Sequence, residues 1–130
     1  MDLRQGLEGD FPRLSATGRM SLADNAALLD AIKGYFIEGQ AWLMVVCERD
    51  LELVQTSKEN HSLQDKARAF FNGVSGGALA MVCLNDLMFA VCRQFQMLAT
   101  SSRAGLEVFA SVPEGLEWLQ YMRAKAIPLF

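Results

Sequence analysis

Hydrophobic and polar positions alternate along residues 78–119 in two successive units, each made of an apolar run, a polar turn and an amphipathic stretch. The run 78–84 is followed by Asn85 and Asp86 and then by apolar positions at helical spacing, and the run 106–110 leads into another such stretch. Short apolar runs that alternate with amphipathic helices are typical of parallel strands joined by helical crossovers. The pattern predicts an α/β sandwich.

The first half of the chain contains one further clear strand and one clear helix. Residues 41–47 are continuously apolar, which predicts a central strand covered on both faces, parallel to and neighbouring those at 78–84 and 106–110. Ser21 and its capping-box-like surroundings predict a helix over about 22–38.

The remaining segments carry weaker patterns. Residues 11–18 alternate and contain a proline, which predicts an edge strand. Residues 1–10 are polar and glycine-containing, and we expect a flexible N-terminal segment. We interpret 48–60 as a loop ahead of a helix capped by Ser62, and 74–77 as a flexible connector. The inward stripe predicted for the helix after residue 86 comprises Leu87, Met88, Val91, Cys92, Phe95 and Leu98.

Composition narrows the classes of protein. The 130 residues suit a single domain, and a hydrophobic content of 52% is enough to build its core. The net charge is −3 and the 12 Lys and Arg residues are scattered, so we do not expect nucleic acid as a partner. The sequence contains neither the apolar run of a signal peptide nor the roughly 18 apolar residues of a membrane span, so we expect a cytoplasmic protein.

The three cysteines do not form a close pair in the sequence. Cys47, Cys83 and Cys92 each lie inside an apolar run, where a small hydrophobic residue would serve equally well. Apolar neighbours raise a thiol pKa, so we expect buried, reduced and unreactive side chains. His61 is the only histidine, which argues against a histidine-rich zinc site, and we expect neither a metal nor another cofactor.

The second half of the chain resembles the SpoIIAA-like proteins of the STAS superfamily. The resemblance is strongest over 78–119 and extends loosely over 11–120. The similar segments in this half are Ala80–Val82, Asn85–Asp86, Ala90–Leu98, Leu106–Phe109 and Glu114–Leu119. Within them, Arg93 precedes a run of aromatic and Met residues, and Glu114–Leu119 ends in a Trp-Leu pair. The segment Gly18–Ser21, which leads into the first helix, is also similar.

The resemblance implies a SpoIIAA/STAS-like sandwich with a central, mostly parallel sheet, an edge strand and about four helices. It also implies a non-enzymatic regulatory or protein-interaction module with a protein partner, and it leaves a homodimer open. The alternative is a carrier or sensor of a lipid or other apolar ligand, suggested by the superfamily's kinship with lipid-binding domains and by the many Met and Phe residues. An enzyme is a third hypothesis, supported only by polar strand ends.

Thr56 and Ser57 lie near the place where the resemblance puts a phosphoacceptor. A phosphate at a helix N-terminus is stabilised by the helix dipole and free amide groups. Residues 48–60 lack the Asp-Ser pair of phosphorylated family members, so we favour a solvated polar loop and expect the protein to be mainly unmodified.

Ligands of open α/β sheets collect at the carboxyl ends of parallel strands. In this chain, the predicted strand ends supply Asp50, Asn85, Asp86 and Ser111. Arg93, on the helix after the second of these strands, is a further candidate, although a solvent-facing arginine is the simpler interpretation. These five residues form our candidate ligand or partner surface.

Overall fold

The computed structural model describes residues 1–36, 40–54, 57–74, 76–98 and 105–126. These residues form seven strands and four helices. In chain order they are β1 (Asp2–Glu8), β2 (Phe11–Thr17), β3 (Arg19–Met20), α1 (Leu22–Tyr35), β4 (Gln40–Cys47), β5 (Glu52–Leu53), α2 (Ser57–Gly73), β6 (Gly76–Cys83), α3 (Asp86–Leu98), β7 (Gly105–Phe109) and α4 (Val112–Ala126).

Five of the strands form one sheet in the order β1-β2-β4-β6-β7. β1 runs antiparallel to β2, whereas β2, β4, β6 and β7 are mutually parallel. The predicted neighbouring parallel strands at 41–47, 78–84 and 106–110 are therefore confirmed. β3 and β5 form a separate two-stranded parallel ladder.

The sheet separates two hydrophobic cores, because side chains of successive strand residues point to opposite faces. In β4, Val45 and Cys47 belong to the core beneath α1, α2 and α3, whereas Met44 and Val46 belong to the core beneath α4. All four are buried, as expected for a strand covered on both faces.

Two glycines permit close approaches of the backbone. A Cβ atom on Gly115 would lie 2.9 Å from Val82 Cγ2, so the missing side chain lets α4 lie directly on β6. Gly77 has a φ of +91°, and a Cβ atom there would lie 2.6 Å from the backbone nitrogen of Ala41, its partner across the β4–β6 ladder. Gly77 lies in β6, which begins at Gly76, so the predicted connector at 74–77 is wrong from Gly76 onward.

The amino terminus departs most from expectation. Residues 2–8 form β1 rather than a flexible segment, because every one of them pairs with β2. Residues 11–17 are consequently an interior strand, not the predicted edge strand. Pro12 is tolerated because the parallel ladder with β4 begins one residue later, at Arg13.

Two helices also differ in detail. α2 begins at Ser57, so the predicted loop at 48–60 is wrong from Ser57 onward, and Ser62 lies inside the helix and is not its cap. Within α3, Met88 and Cys92 are buried as predicted, but Leu87 is 65% exposed and does not belong to the inward stripe. The capping box at the start of α1 is confirmed, with Ser21 and Asp24 bonded to each other's backbone amide groups.

No helix in the described ranges has both the length and the apolar character needed to cross a bilayer.

Candidate functional site

Asn85 joins two loops at the carboxyl edge of the sheet. Its amide nitrogen donates to the backbone carbonyls of Glu48 (3.3 Å), Arg49 (3.4 Å) and Leu51 (3.1 Å). Its side-chain oxygen accepts from the amide of Met88 at 2.8 Å, which caps α3. Both ends of this side chain are therefore engaged in holding the fold.

The other predicted strand-end residues are divided between this edge and the helix starts. Asp50 lies in the loop that Asn85 binds, and Asp86 is exposed in the first turn of α3. Ser111 precedes α4, where its hydroxyl accepts from the Glu114 amide at 3.5 Å and donates to that residue's carboxylate at 2.9 Å. The structure thus brings Asp50, Asn85 and Asp86 together and gives Ser111 a separate capping role.

Arg93 lies on α3, exposed, with its guanidinium 5.9 Å from the centre of the Phe89 ring. At that distance the charge contacts a ring of its own helix. Of the two candidate phosphoacceptors, Thr56 lies outside the described residues. Ser57 is the first residue of α2, so a phosphate there would lie at a helix N-terminus.

A further polar group, which the sequence did not indicate, surrounds Arg13 of β2. Its guanidinium pairs with Glu8 at 2.7 Å and Glu48 at 3.5 Å, and its Nε donates to Ser15 at 3.0 Å. The charges are partly buried and mutually satisfied. This arrangement ties β1, β2 and the loop after β4 together.

The three cysteines converge, although no two of them are close in the sequence. Cys47 and Cys83 are register partners at the ends of β4 and β6, and Cys92 lies on α3 above them. Their sulfur atoms all lie within 4.8 Å of one another, and all three residues are buried. We refer to Cys47, Cys83 and Cys92 as the thiol cluster. Burial and the free thiols were predicted, whereas the convergence was not.

Hydrogen bonds within the thiol cluster set the order in which its members ionise. Bonds from Cys47 and from Cys92 lower the pKa of Cys83, since both stabilise its thiolate. The bond to Cys83 raises the pKa of Cys47, and the bond to Cys47 raises the pKa of Cys92, with burial adding to both. These bonds therefore favour a thiolate on Cys83 over one on Cys47 or Cys92.

An apolar cavity of about 70 Å³ lies beside the thiol cluster, between the sheet and helices α1, α2 and α3. Its walls include Cys47 and Cys92, the sulfur-containing Met20 and Met88, and one buried polar residue, Asn25. We refer to it as the helical-face cavity. Its walls are otherwise hydrophobic, so the ligand class that it suits is apolar.

The outward side of α3 carries a row of exposed residues, most of them apolar. Leu87, Ala90, Gln94 and Met97 follow the i, i+3, i+7, i+10 spacing that places residues on one face of a helix, and all four are exposed. Leu87 is 65% and Met97 74% exposed. We refer to these four residues as the α3 outer stripe. Exposed charged residues lie beside it, because Asp86 and Arg93 are one helical turn from Ala90 and Met97, respectively.

Comparison with known proteins supports the fold. No protein-family model matches the sequence, and no curated protein matches it either. A solved structure that does match is the crystal structure of an uncharacterized protein from the DUF3478 family with a SpoIIAA-like fold, from Shewanella loihica PV-4. The TM-score is 0.55 at 12% identity, over 91% of this chain and 92% of that chain. The chain therefore has a SpoIIAA-like fold, as the sequence resemblance predicted.

Proposed function

We propose that this chain is a non-enzymatic regulatory or protein-interaction module of the STAS type, acting in the bacterial cytoplasm and binding a protein partner through the α3 outer stripe. The observation that carries the proposal is the exposure of Leu87 and Met97 on one face of α3. Large exposed apolar side chains that share a surface are typical of protein interaction sites.

The distribution of exposed hydrophobic residues favours α3 over other surfaces. Four large hydrophobic side chains are exposed within the described ranges, and two of them, Leu87 and Met97, lie on this stripe. They are ten residues apart, which corresponds to about 15 Å along a helix and suits contact with one partner helix or strand. Leu7 on β1 and Tyr121 on α4 lie singly on other elements.

The non-enzymatic part of the proposal is supported by the roles of the polar strand ends. Asn85 and Ser111 cap helices, and Arg13 is neutralised by two carboxylates. Side chains held in this way stabilise loops and helix starts. A catalytic side chain would instead present a free donor, acceptor or nucleophile to a substrate.

Site-specific photo-crosslinking in the native host tests the proposal. A photoreactive residue at Leu87 should give a discrete protein adduct, whereas the same residue at Tyr121, which is 61% exposed on the opposite side of the sheet, should not. An adduct of twice the chain mass would identify a second copy as the partner. Loss of the adduct in Met97→Glu, with an unchanged unfolding midpoint, would assign it to the stripe.

Two results would contradict the proposal. One is an identical adduct pattern from positions 87 and 121, which would indicate nonspecific collisions. The other is the absence of any adduct from position 87 under conditions where the protein is folded and abundant.

The helical-face cavity supports a second candidate function, a carrier or sensor of an apolar ligand. A cavity of about 150 Å³ holds benzene in another protein. At about 70 Å³ this cavity suits only a few ligand atoms, so a lipid chain would require the helices to separate. Native mass spectrometry of protein purified from its own host tests this function. A retained apolar ligand favours the carrier, and a bare chain favours the interaction module.

A further inference from the structure

We propose that the thiol cluster is a binding site for a soft, thiophilic monovalent metal ion, with cuprous copper as the ion that its donor set suits best. The inference rests on the convergence of Cys47, Cys83 and Cys92 from three different elements into one buried group. It is independent of the interaction proposed for the α3 outer stripe.

The geometry satisfies the first requirement of a metal site, which is that the donor atoms converge. Three sulfur atoms within 4.8 Å of one another can contact a common ion after small side-chain adjustments. Cys47 and Cys83 are fixed by register pairing in the two central strands, and Cys92 is fixed by the packing of α3 on the sheet. The donors are thus held by regular secondary structure, which favours a defined coordination geometry.

The donor type selects a soft ion. Thiolate and thioether ligands favour Cu(I), Zn²⁺ and iron–sulfur clusters, whereas carboxylates and carbonyls favour Mg²⁺ and Ca²⁺. No His, Asp or Glu in the described part of the chain joins the thiol cluster. Met20 and Met88 line the same cavity as Cys47 and Cys92, so the surroundings of the cluster on this side also contain thioether residues.

The number of donors selects among the soft ions. Structural zinc is bound tetrahedrally by four protein ligands, and iron–sulfur clusters are commonly held by four cysteines. The whole sequence contains three cysteines, and its one histidine, His61, is exposed on α2. A single chain therefore cannot supply a Cys₄ site, and His61 does not join the cluster. A three-sulfur environment suits Cu(I), which does not require a fourth ligand.

Binding involves no change of oxidation state. Each thiol that coordinates the ion loses its proton to solvent as its sulfur–copper bond forms, and copper enters and remains monovalent. Met81, Val91 and Phe95 line the neighbouring cavity without being fully buried, so the cavity is least covered between α3 and the sheet.

The test is an anaerobic titration of the fully reduced full-length chain with Cu(I), presented as its coloured bicinchoninate complex. The wild-type protein should withdraw one copper ion per chain. Cys92→Ala should weaken binding by more than about a hundredfold, since loss of even an outer-shell partner of a metal ligand typically costs 10–100-fold. Val45→Ala is the matched control because it truncates a buried residue of the same core without removing a sulfur atom, and its copper affinity should be unchanged.

A measurement on the wild-type protein keeps the proposal testable if Cys92→Ala does not fold. X-ray absorption spectroscopy of the copper-loaded protein should give a coordination shell of sulfur atoms only. The proposal is overturned if the wild type leaves copper with bicinchoninate, if Val45→Ala loses as much affinity as Cys92→Ala, or if the shell contains nitrogen or oxygen. Tighter binding of Zn²⁺ than of Cu(I) in parallel titrations would refute the choice of ion.

Discussion

Replacing Gly77 by alanine should destabilise the fold far more than an ordinary surface substitution. Its φ of +91° is unfavourable for any residue with a side chain, and such backbone strain costs on the order of 1–3 kcal/mol. The added Cβ would also lie 2.6 Å from the Ala41 nitrogen and closer still to its carbonyl oxygen, atoms of a paired backbone. Overpacking of this kind adds about 1–3 kcal/mol.

The sum, about 2–6 kcal/mol, is a large share of the 5–15 kcal/mol that typically stabilises a domain. Gly73→Ala is the matched control, because a Cβ atom there meets nothing within 4 Å at the end of α2. That change should be neutral or stabilising by about 0.4–1 kcal/mol.

Urea unfolding followed by circular dichroism measures both variants. The reasoning is refuted if Gly77→Ala unfolds at the wild-type midpoint, or if both alanine variants lose similar stability. Equal losses would mean that neither the backbone conformation nor the contact with Ala41 distinguishes the two positions.

Three further predictions concern buried and capping groups. Val82→Asp places an unpaired charge in the core beneath α4, so we expect a loss on the order of 3–5 kcal/mol; wild-type soluble yield and thermal midpoint would contradict this. Asn85→Asp keeps the oxygen that caps α3 but loses the three donations to backbone carbonyls, and should cost about 1–3 kcal/mol in urea unfolding; unchanged amide exchange in the loop after β4 would argue against it. The free energy of unfolding should fall as pH rises above about 9. The fold raises the pKa values of Cys47 and Cys92. Above that pH these two thiols lose their protons only in the unfolded chain, which stabilises the unfolded state. Cys92→Ala should make that decline shallower, and parallel slopes in urea titrations from pH 8 to 10 would count against the predicted order of ionisation.

The central elements could be predicted because their patterns are local and strong. The apolar runs that became β4, β6 and β7, and the helical spacing in α1 and α3, depend on few distant contacts. β1 was missed because it has only two large apolar residues, Leu3 and Leu7. Its strand conformation comes from pairing with β2, and its composition does not indicate that pairing.

Within the candidate site, the role of a residue could be predicted only where a suitable residue type stands at a position, such as a helix start, that the sequence pattern reveals. Asn85 and Ser111 stand at helix starts, where their side chains commonly cap, and the structure gives them that role. The thiol cluster requires the β4–β6 register, which the sequence does not specify. A usable signal was nevertheless present, because Cys47 and Cys83 both lie near the carboxyl ends of apolar runs that the prediction placed side by side.

The parallel pairing of β4 with β6 has a consequence for synthesis of the chain on the ribosome. Val45 and its partner Met81 are separated by α2 and its connecting segments, so β4 emerges well before the strand that covers its edge. At about 5–20 residues per second, translation leaves that edge uncovered for a few seconds. An apolar strand in this condition is a template for pairing with other chains. Nascent chains arrested between β4 and β6 should therefore aggregate more readily than the finished protein.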